Sequence, residues 1–421
     1  MAKMDLFECC HVNTNEVGDR FVGIKVDGNS TAIRFPIGYQ LPNTEPELRR
    51  DIVHLISILS NFSEKRDGII ATSKSTHIQT INFPINAFLT VIENYMANGY
   101  FTENEQHYIL SDRGKTDWPR TIKRQRPIVQ KNGQAVYLKR EIRYLAPTNK
   151  NLITKIHEHC VYESFKKLGW LFTAILPMQP TTPFHKEMFI SVIHDKFEKT
   201  FNDNDRLLFQ NMLAILNYTD EHSRDDQFYF GTDRFEYIWE KLIDRVFGVT
   251  NKQDYFPRTK WLLKHGRLRI NPALEPDTIM VYGGNVYILD AKYYRYGITG
   301  DPTHLPESTV INKQITYGEY VASEAKFKDA HGAAMTVYNA FIMPFNKEHN
   351  QFGFNVHLGC IGEATGDWKT VTGISQVDGK EYERVQGIVI DIRHIMWHFS
   401  ANTQRLTVDL VNAINSNVYN V

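Results

Sequence analysis

The chain has few cysteines and no segment typical of secretion or membrane insertion. Its four cysteines have a spacing that fits neither a disulfide framework nor a CxxC-type zinc site. Residues 1–8 lack a basic start followed by an apolar run, and the longest apolar run, Leu168–Met178, is too short to span a bilayer. We therefore expect a reduced, cytoplasmic protein without a membrane partner.

Several common catalytic signatures are also missing. Gly114-Lys115-Thr116 resembles the end of a P-loop, but Ile109 stands where that motif needs its first glycine. His157-Glu158-His159 has the wrong spacing for two zinc ligands one helical turn apart. No GxSxG or Cys–His signature is present. The sequence thus gives no sign of a nucleoside triphosphate site, a helical zinc centre or a serine hydrolase.

What is present is a globular composition with unevenly placed charge. The 421 residues are 42% hydrophobic, enough for two or three domains with their own cores. The 48 basic and 48 acidic residues cancel, yet residues 113–143 hold ten basic side chains opposed only by Asp117 and Glu141. Residues 258–269 form a second basic stretch. Either stretch can neutralise phosphates, or simply be a solvated charged face. The candidate DNA-binding residues are Arg120, Lys123, Arg124, Arg126, Lys264 and Arg267.

The N-terminal region, residues 1–149, reads as α+β. Apolar alternation around the turn sequence at 27–29 predicts a hairpin over 20–40, and helical spacing predicts helices over 46–61 and 84–98. A second hairpin is predicted within 100–118. Helix, helix and hairpin follow one another in a winged helix, a DNA-reading module, although the same order is also generic.

The rest of the chain divides near Gly231. Residues 150–230 are predicted to be a helical linker domain with helices over 151–168, 186–201 and 204–217, and a polar loop over 218–230. Residues 231–421 predict an α/β domain with a mixed sheet flanked by helices. Its predicted elements are a helix over 233–247, a Gly-Gly hairpin of strands 274–282 and 285–294, a helix over 307–328, strands over 335–344, 352–361 and 384–392, and a helix over 402–414.

One group of residues in this last region points to chemistry. Glu275-Pro276-Asp277 is followed after twelve residues by Asp290-Ala291-Lys292. Alternate residues of a strand share a face, so Asp290 and Lys292 should project together, and the Gly-Gly turn brings Asp277 alongside. Two carboxylates and the Ala291 carbonyl suit Mg²⁺, with Mn²⁺ as the alternative, and a lysine beside them suits phosphodiester hydrolysis. The simpler interpretation is a surface Asp–Lys pair on an edge strand.

Further candidates lie on the flanking helices. Glu236 and Glu240, one turn apart, border the apolar stripe of the helix over 233–247, where either can supply a third acid or simply face water. Gln314 can hold the attacking water or a phosphate. Tyr317 lies beside it, and tyrosines at helical spacing are more often core residues.

These residues resemble the PD-(D/E)xK nuclease superfamily, and within it the LlaJI-type restriction endonucleases, relatives of the McrC nuclease subunit of McrBC systems. The resemblance covers 233–320 well, and the stretch 99–123 has the look of the same group. The segments that carry it are FEYIWEKLIDRVFG (235–248), EPDTIMVYGGNVYILDAKYY (275–294) and NKQITYGEY (312–320).

The resemblance implies a role for each residue it covers. It makes Glu240 the first choice for the helical acid and Glu236 the second. The superfamily more often has Glu where Asp290 stands, but McrC-like members also use Asp-Ala-Lys. Gln314 and Tyr317 are three residues apart rather than four, which puts Tyr317 in more doubt than Gln314.

The resemblance also implies partners. These are double-stranded DNA, an McrB-like AAA+ GTPase subunit, a DNA methyltransferase of the same system and a homodimer. The resulting hypothesis is a Mg²⁺-dependent restriction endonuclease subunit controlled by that GTPase. One alternative is a non-catalytic subunit that stimulates the GTPase on a nuclease-fold scaffold. The other is a repair or transposition nuclease of the same superfamily.

Overall fold

The protein is described here by a computed structural model, with elements numbered in chain order. The described residues are 5–27, 30–63, 83–148, 151–173, 175–221, 228–329, 331–366, 371–372, 375–376, 380–400 and 403–416. The helices are α1 (Leu6–Cys9), α2 (Glu45–Ser63), α3 (Ile85–Asn98), α4 (Trp118–Arg124), α5 (Leu152–Leu168), α6 (Lys186–Lys199), α7 (Asp203–Glu221), α8 (Phe235–Phe247), α9 (Tyr296–Thr299), α10 (Ser308–Ser323), α11 (Ile392–His398) and α12 (Gln404–Asn415). The strands are β1 (Cys10–Val12), β2 (Val22–Asp27), β3 (Ser30–Phe35), β4 (Glu103–Ser111), β5 (Ile128–Val129), β6 (Ala135–Val136), β7 (Arg140–Thr148), β8 (Phe228–Thr232), β9 (Arg258–Leu262), β10 (Leu268–Ala273), β11 (Thr278–Tyr282), β12 (Asn285–Ala291), β13 (Thr336–Phe345), β14 (Leu358–Ala364), β15 (Val371–Thr372), β16 (Ser375–Gln376) and β17 (Val385–Asp391).

The chain forms two compact units. The smaller is built on Asn82–Asp226, and the larger combines Asp5–Ile81 with Gln227–Val421. These units differ from the three regions predicted from the sequence, because residues 5–81 fall with the C-terminal part of the chain. The division into 1–149, 150–230 and 231–421 as functional domains stays a prediction.

The smaller unit is mostly helical, as predicted for 150–230. Helices α3, α5, α6 and α7 have the predicted character, with ends shifted by a few residues. The hairpin predicted within 100–118 is wrong, because β4 pairs antiparallel with β7 instead. The chain turns into α4 after β4. Asp117 caps that helix by accepting a 3.0 Å bond from the Arg120 amide, and Pro119 stands in its first turn.

The winged-helix interpretation loses its main support with that hairpin. Its two predicted helices exist as α2 and α3, but they belong to different compact units. The loop predicted over 218–230 is also wrong at both ends. Helix α7 continues to Glu221, and β8 begins at Phe228 and pairs with β2, where Ile24 lies opposite Phe230. The aromatic residues Phe228, Tyr229 and Phe230 favour a strand, although the segment 218–230 as a whole is polar.

The larger unit has a mixed α/β architecture built on two larger sheets, beside the two-stranded sheets β9–β10 and β15–β16. The first sheet has the order β1-β3-β2-β8 and contains the predicted β2–β3 hairpin, whose turn residues 28–29 lie outside the described part of the chain. The second has the order β11-β12-β13-β17-β14. Its three central strands run parallel, and the edge strands β11 and β14 run antiparallel to their neighbours.

The Gly-Gly hairpin between β11 and β12 is confirmed. Gly283 and Gly284 have φ angles of 58° and 79°, so both central residues of the two-residue turn are left-handed. A type I′ turn requires positive φ at both positions, a conformation that glycine, and to a lesser degree Asn and Asp, adopt at little energetic cost. The later predicted elements are also confirmed in kind, although the strand expected over 352–361 begins only at Leu358.

Helix α8 packs against the β11–β12 hairpin through its predicted apolar stripe. All seven predicted residues are buried, and Trp239 also donates a 3.2 Å indole hydrogen bond to the Ile342 carbonyl of β13. This contact fixes the helix over the strands that carry the candidate site. Within the described ranges, no helix combines the length and apolar character that a membrane crossing needs.

Candidate active site

Asp277 and Asp290 lie side by side at one end of the β11–β12 hairpin. Thr278 pairs with Leu289, so the next residues outward face each other. Asp277 accepts a 2.9 Å hydrogen bond from the Ala291 amide through Oδ2. Asp290 is only 5% exposed. The strand register thus gathers two carboxylates where a purely structural strand would carry apolar residues.

Lys292 completes the group that the strand spacing predicts. Its Nζ atom lies 2.7 Å from Asp290 Oδ2, and its amide donates a 2.8 Å hydrogen bond to the Ile342 carbonyl. Burial by itself lowers the pKa of Lys292, but the carboxylates of Asp290 and Asp277 raise that pKa above its usual value. The ammonium group therefore stays charged at neutral pH, which suits a charge-stabilising role rather than that of a general base.

Negative charge is crowded at Asp277. Burial, together with the neighbouring carboxylates of Asp290 and Glu240, raises the pKa of its carboxyl to about 8 against the opposing effect of Lys292. A carboxyl group that holds its proton to this pH lacks a sufficient countercharge. A bound cation would supply that countercharge.

Of the two helical acids, Glu240 is the one that interacts with the strand residues. Burial raises the pKa of Glu240, Lys292 lowers it, and Asp290 raises it again. Glu236, one turn closer to the start of α8, raises the pKa of Glu240 and that of the buried Tyr293. These electrostatic interactions favour Glu240 over Glu236 as the acid near the aspartates, and the roles of both acids stay predictions.

Gln314 and Tyr317 are buried on α10 and bind backbone near the carboxylates. Gln314 donates a 2.8 Å hydrogen bond from Nε2 to the Ile288 carbonyl of β12, and its Oε1 has no partner among the described residues. The Tyr317 hydroxyl donates to the Glu275 carbonyl at 3.3 Å. Both side chains hold the strand segments that lead to the two aspartates.

Two lysines that the sequence analysis did not single out also belong to this region. Lys252 donates from Nζ to Asp244 Oδ2 at 2.7 Å and to the Asp277 carbonyl at 2.9 Å. It thus ties the backbone of Asp277 to helix α8. Burial lowers the pKa of the exposed Lys313, but its Tyr317 and Asp290 neighbours raise that pKa overall. Lys252 gave no signal because it lies in an irregular segment far from the motif, whereas Lys313 directly precedes Gln314.

The donor chemistry of the site fits a hard divalent cation. Carboxylate oxygens are the ligands that Mg²⁺ prefers, and the raised pKa of Asp277 marks the position where a cation would be most stabilised. Among the residues that the structure describes, no three His, Cys, Asp or Glu side chains form a ready metal-binding group. Instead, Asp290 binds Lys292 and Asp277 binds the Ala291 amide.

The basic residues predicted to contact DNA are not equivalent. The Arg120 guanidinium lies 3.3 Å from the Glu141 carboxylate and 3.9 Å from the Tyr108 ring centre, so its charge is already engaged within the smaller unit. The other candidates in that unit, at the end of α4 and just after it, are exposed: Lys123, Arg124 and Arg126. In the larger unit, Lys264 and Arg267 are exposed in the turn between β9 and β10.

A comparison with known families gives a match over most of the chain. The model of the LlaJI restriction endonucleases matches residues 21–364, a span that includes α8, the β11–β12 hairpin and α10. The class of the protein is therefore that of the restriction endonucleases. More particularly, the chain belongs to the LlaJI restriction endonuclease family, which confirms the resemblance identified from the sequence.

Two other comparisons add little. No curated protein shows significant similarity to the chain. Among solved structures, one similar structure is a half-complex of Thermococcus gammatolerans McrB AAA+ hexamers with bound McrC. It aligns with 12% sequence identity and a TM-score of 0.36, over 93% of this chain and 83% of the other.

Proposed function

We propose that the protein is a Mg²⁺-dependent endonuclease that hydrolyses DNA phosphodiester bonds at the β11–β12 hairpin, with Mn²⁺ as an alternative ion. The observation that carries this proposal is the crowding of the carboxylates of Asp277, Asp290 and Glu240 near Lys292, whose Nζ atom lies 2.7 Å from Asp290 Oδ2. Burial, together with this crowding, raises the pKa of Asp277 to about 8. Structural sites avoid such crowding because it costs stability. A site that binds a divalent cation and a phosphate needs it.

Each residue has a proposed task in this reaction. Asp277, Asp290, Glu240 and the Ala291 carbonyl would hold the ion, and Glu236 is the second choice for the helical acid. When bound, Mg²⁺ polarises a phosphoryl oxygen and makes a coordinated water more acidic. The Lys292 ammonium, which is held charged by Asp290, stabilises the negative charge that develops on the phosphate.

Gln314 has a second proposed task, in addition to holding a water or a phosphate. Its Nε2 atom is bonded to the Ile288 carbonyl, two residues before Asp290. We infer that it is a positioning residue that holds β12 in register, with its Oε1 atom as the group left to bind a water.

The wider assignments rest on the family and on the motifs. We infer a PD-(D/E)xK nuclease fold for the sheet of β11, β12, β13, β17 and β14, because the motif residues lie in or directly next to two neighbouring strands of it. We also infer an McrB-like AAA+ GTPase as the controlling partner, from the McrC-like segments of the sequence. A methyltransferase of the same system and a homodimer remain predictions without structural support.

The proposed activity is tested with plasmid DNA and Mg²⁺, with and without the GTPase partner. We expect nicking or linearisation by the wild-type chain and none by Asp290→Ala. Glu319→Gln, which removes an exposed carboxylate from α10, is the matched control and should cleave like wild type. Full cleavage by Asp290→Ala would contradict the proposal.

One observation favours a second candidate, a non-catalytic subunit that stimulates a GTPase. Asp290 pairs with Lys292, and Asp277 accepts a hydrogen bond from the Ala291 amide, so each carboxylate has a partner within the chain. Titration calorimetry separates the two functions. Binding of Mn²⁺ to the wild type, and its loss in Asp290→Ala, supports the nuclease. An absence of metal binding in the wild type supports the scaffold.

A further inference from the structure

The β9–β10 hairpin of the larger unit is exposed to solvent on both faces. Its strands pair antiparallel, with Leu262 opposite Leu268 and Trp261 opposite Arg269. All five residues of β9 are exposed, and β10 contains no buried residue. A two-stranded hairpin that buries neither face is only marginally stable in water. The exposure of this hairpin is therefore better explained by a partner that it binds than by a contribution to the stability of the fold.

One face of this hairpin combines an aromatic ring with polar and cationic groups. Residues directly opposite each other in an antiparallel pair project to the same side, so Trp261 and Arg269 are neighbours. Asn271 joins the same face, since its Nδ2 atom donates a 2.9 Å hydrogen bond to Thr259 Oγ1. Trp261 is 61% exposed. Indole, guanidinium and amide groups are those that read base edges and stack on bases.

The opposite face is more apolar but also carries a cation. Lys260 lies opposite Ile270, beside the exposed Leu262 and Leu268. Aliphatic side chains of this kind contact thymine methyl groups and sugar edges in nucleic-acid complexes. Both faces therefore offer contacts to a polymer with a charged backbone and with polar base edges and thymine methyl groups in its major groove.

The positive charge of the hairpin favours a polyanion as its binding partner. Residues 258–273 contain no acidic side chain, although the whole chain has equal numbers of basic and acidic residues. The five cations of this segment are Arg258, Lys260, Lys264, Arg267 and Arg269. A second copy of the same hairpin would be repelled by this charge, whereas a phosphate backbone would be attracted.

The base of the hairpin is fixed next to the candidate active site. The Leu274 amide donates a 2.9 Å hydrogen bond to the Pro257 carbonyl and closes the hairpin there. Asp277 follows only three residues later, after Glu275, whose carbonyl is held by the Tyr317 hydroxyl. From this base, a five-residue strand extends roughly 17 Å. The hairpin can therefore reach along DNA whose backbone lies at the carboxylates.

We propose that the β9–β10 hairpin is a DNA-binding ribbon that enters the major groove of the duplex beside the scissile phosphate. A two-stranded ribbon fits this groove, which is about 12 Å wide. Trp261 and Arg269 face the base edges, while Lys264 and Arg267 at the turn contact phosphates. This inference rests on the proposed function, because it places the substrate of the same site.

The test is duplex DNA binding without divalent metal, measured by fluorescence anisotropy at several salt concentrations. The double variant Lys264→Ala/Arg267→Ala should bind about tenfold more weakly, and its log–log salt slope should fall by about 2, since each lost phosphate contact removes about 0.9. The double variant Lys199→Ala/Arg405→Ala removes two exposed cations elsewhere, one from each unit, and should match wild type in both quantities.

A second variant tests the groove contact separately from charge. Trp261→Ala should weaken binding severalfold with an unchanged salt slope, because it removes contact area but no cation. Unchanged affinity in both hairpin variants would overturn the ribbon. It is also overturned if these variants bind DNA normally but lose self-association in sedimentation, since the hairpin is then an interface between copies.

The failure of the ribbon can be told apart from failure of the proposed function. A wild-type chain that binds DNA through the hairpin and never cleaves it contradicts the nuclease and supports the ribbon. A Lys264→Ala/Arg267→Ala chain that cleaves at the wild-type rate at limiting DNA concentration contradicts the ribbon and supports the nuclease.

Discussion

Two β-hairpins follow each other between residues 258 and 291, and their chemistry is opposite. The β9–β10 hairpin is exposed on both faces and carries only positive charge. The β11–β12 hairpin has a buried second strand and ends in the carboxylates of Asp277 and Asp290. Three residues, 274–276, separate the end of β10 from Asp277.

In the proposed function, one short segment places DNA attraction on the first hairpin and phosphodiester hydrolysis on the second. Exposed cations act through solvent, so their effect on a polyanion is long-ranged and weakens with salt. Buried carboxylates are poorly screened, so burial and the carboxylate of Asp290 raise the pKa of Asp277, and the site depends on pH instead. Salt and pH should therefore separate the two hairpins experimentally.

In the comparison of the two hairpins, the largest expected effect comes from removing the ammonium group of Lys292, which directly follows β12. Lys292→Ala should reduce cleavage at saturating DNA by roughly 10²–10³-fold, as expected for the loss of one preorganised charge at a developing negative charge. Plasmid cleavage under single-turnover conditions measures it. DNA affinity without metal should stay close to that of wild type.

Lys260→Ala is the matched variant in the exposed hairpin, and the comparison predicts the reverse pattern for it. Its DNA affinity should fall, and its cleavage at saturating DNA should be unchanged. If both lysine variants lose binding and cleavage in the same proportion, the division between the hairpins is wrong.

A smaller effect should distinguish the two helical acids. Glu240→Gln should slow Mg²⁺-dependent cleavage about 10–100-fold, a range typical for weakening the ligation of a metal. Glu236→Gln, one turn away, should have less effect, because it interacts with Glu240 and Tyr293 rather than with the aspartates. Equal loss in both variants would mean that the two acids act together.

The buried hairpin could be predicted from the sequence for identifiable physical reasons. The Gly283-Gly284 turn and the run from Val286 to Leu289 define two paired strands without any tertiary information. Once these are set, the period of two places Lys292 beside Asp290, as found at 2.7 Å. The apolar stripe of α8 was equally readable, since all of its predicted members are buried.

Features that depend on distant partners could not be predicted in this way. Strand β4 was read as half of a local hairpin, but its partner β7 begins only at Arg140. Lys252 holds the Asp277 carbonyl from an irregular segment, and no period or motif marks such a contact. The β9–β10 hairpin was missed as strands, because its apolar residues meet no core and show no in-and-out alternation.

The pH dependence of metal binding sharpens the comparison further. A metal ion binds carboxylates only after they lose their protons, and burial and neighbouring carboxylates hold the Asp277 proton to a pH of about 8. Mg²⁺ or Mn²⁺ affinity should therefore rise up to tenfold per pH unit between about pH 6 and 8, then level off. Calorimetry at fixed ionic strength measures this. The DNA affinity of the metal-free protein should change much less over the same range.

The smallest effect expected is on stability without metal. The pKa of Asp277 is raised in the folded protein, so the neutral form is favoured there, and stability is lost as pH rises from about 4 through 8. Asp277→Asn keeps an oxygen for the Ala291 amide and cannot ionise. Its Tm advantage over wild type should therefore widen as pH rises from 6 to 8. The widening should be roughly 2–4 °C for each kcal/mol of unfolding free energy that the wild type loses. Calorimetry of Glu319→Gln, an exposed carboxylate, should show a difference from wild type that does not vary with pH. A constant difference for Asp277→Asn as well would mean that the Asp277 carboxyl is already ionised in the folded protein, and the crowding that supports the metal site would be absent.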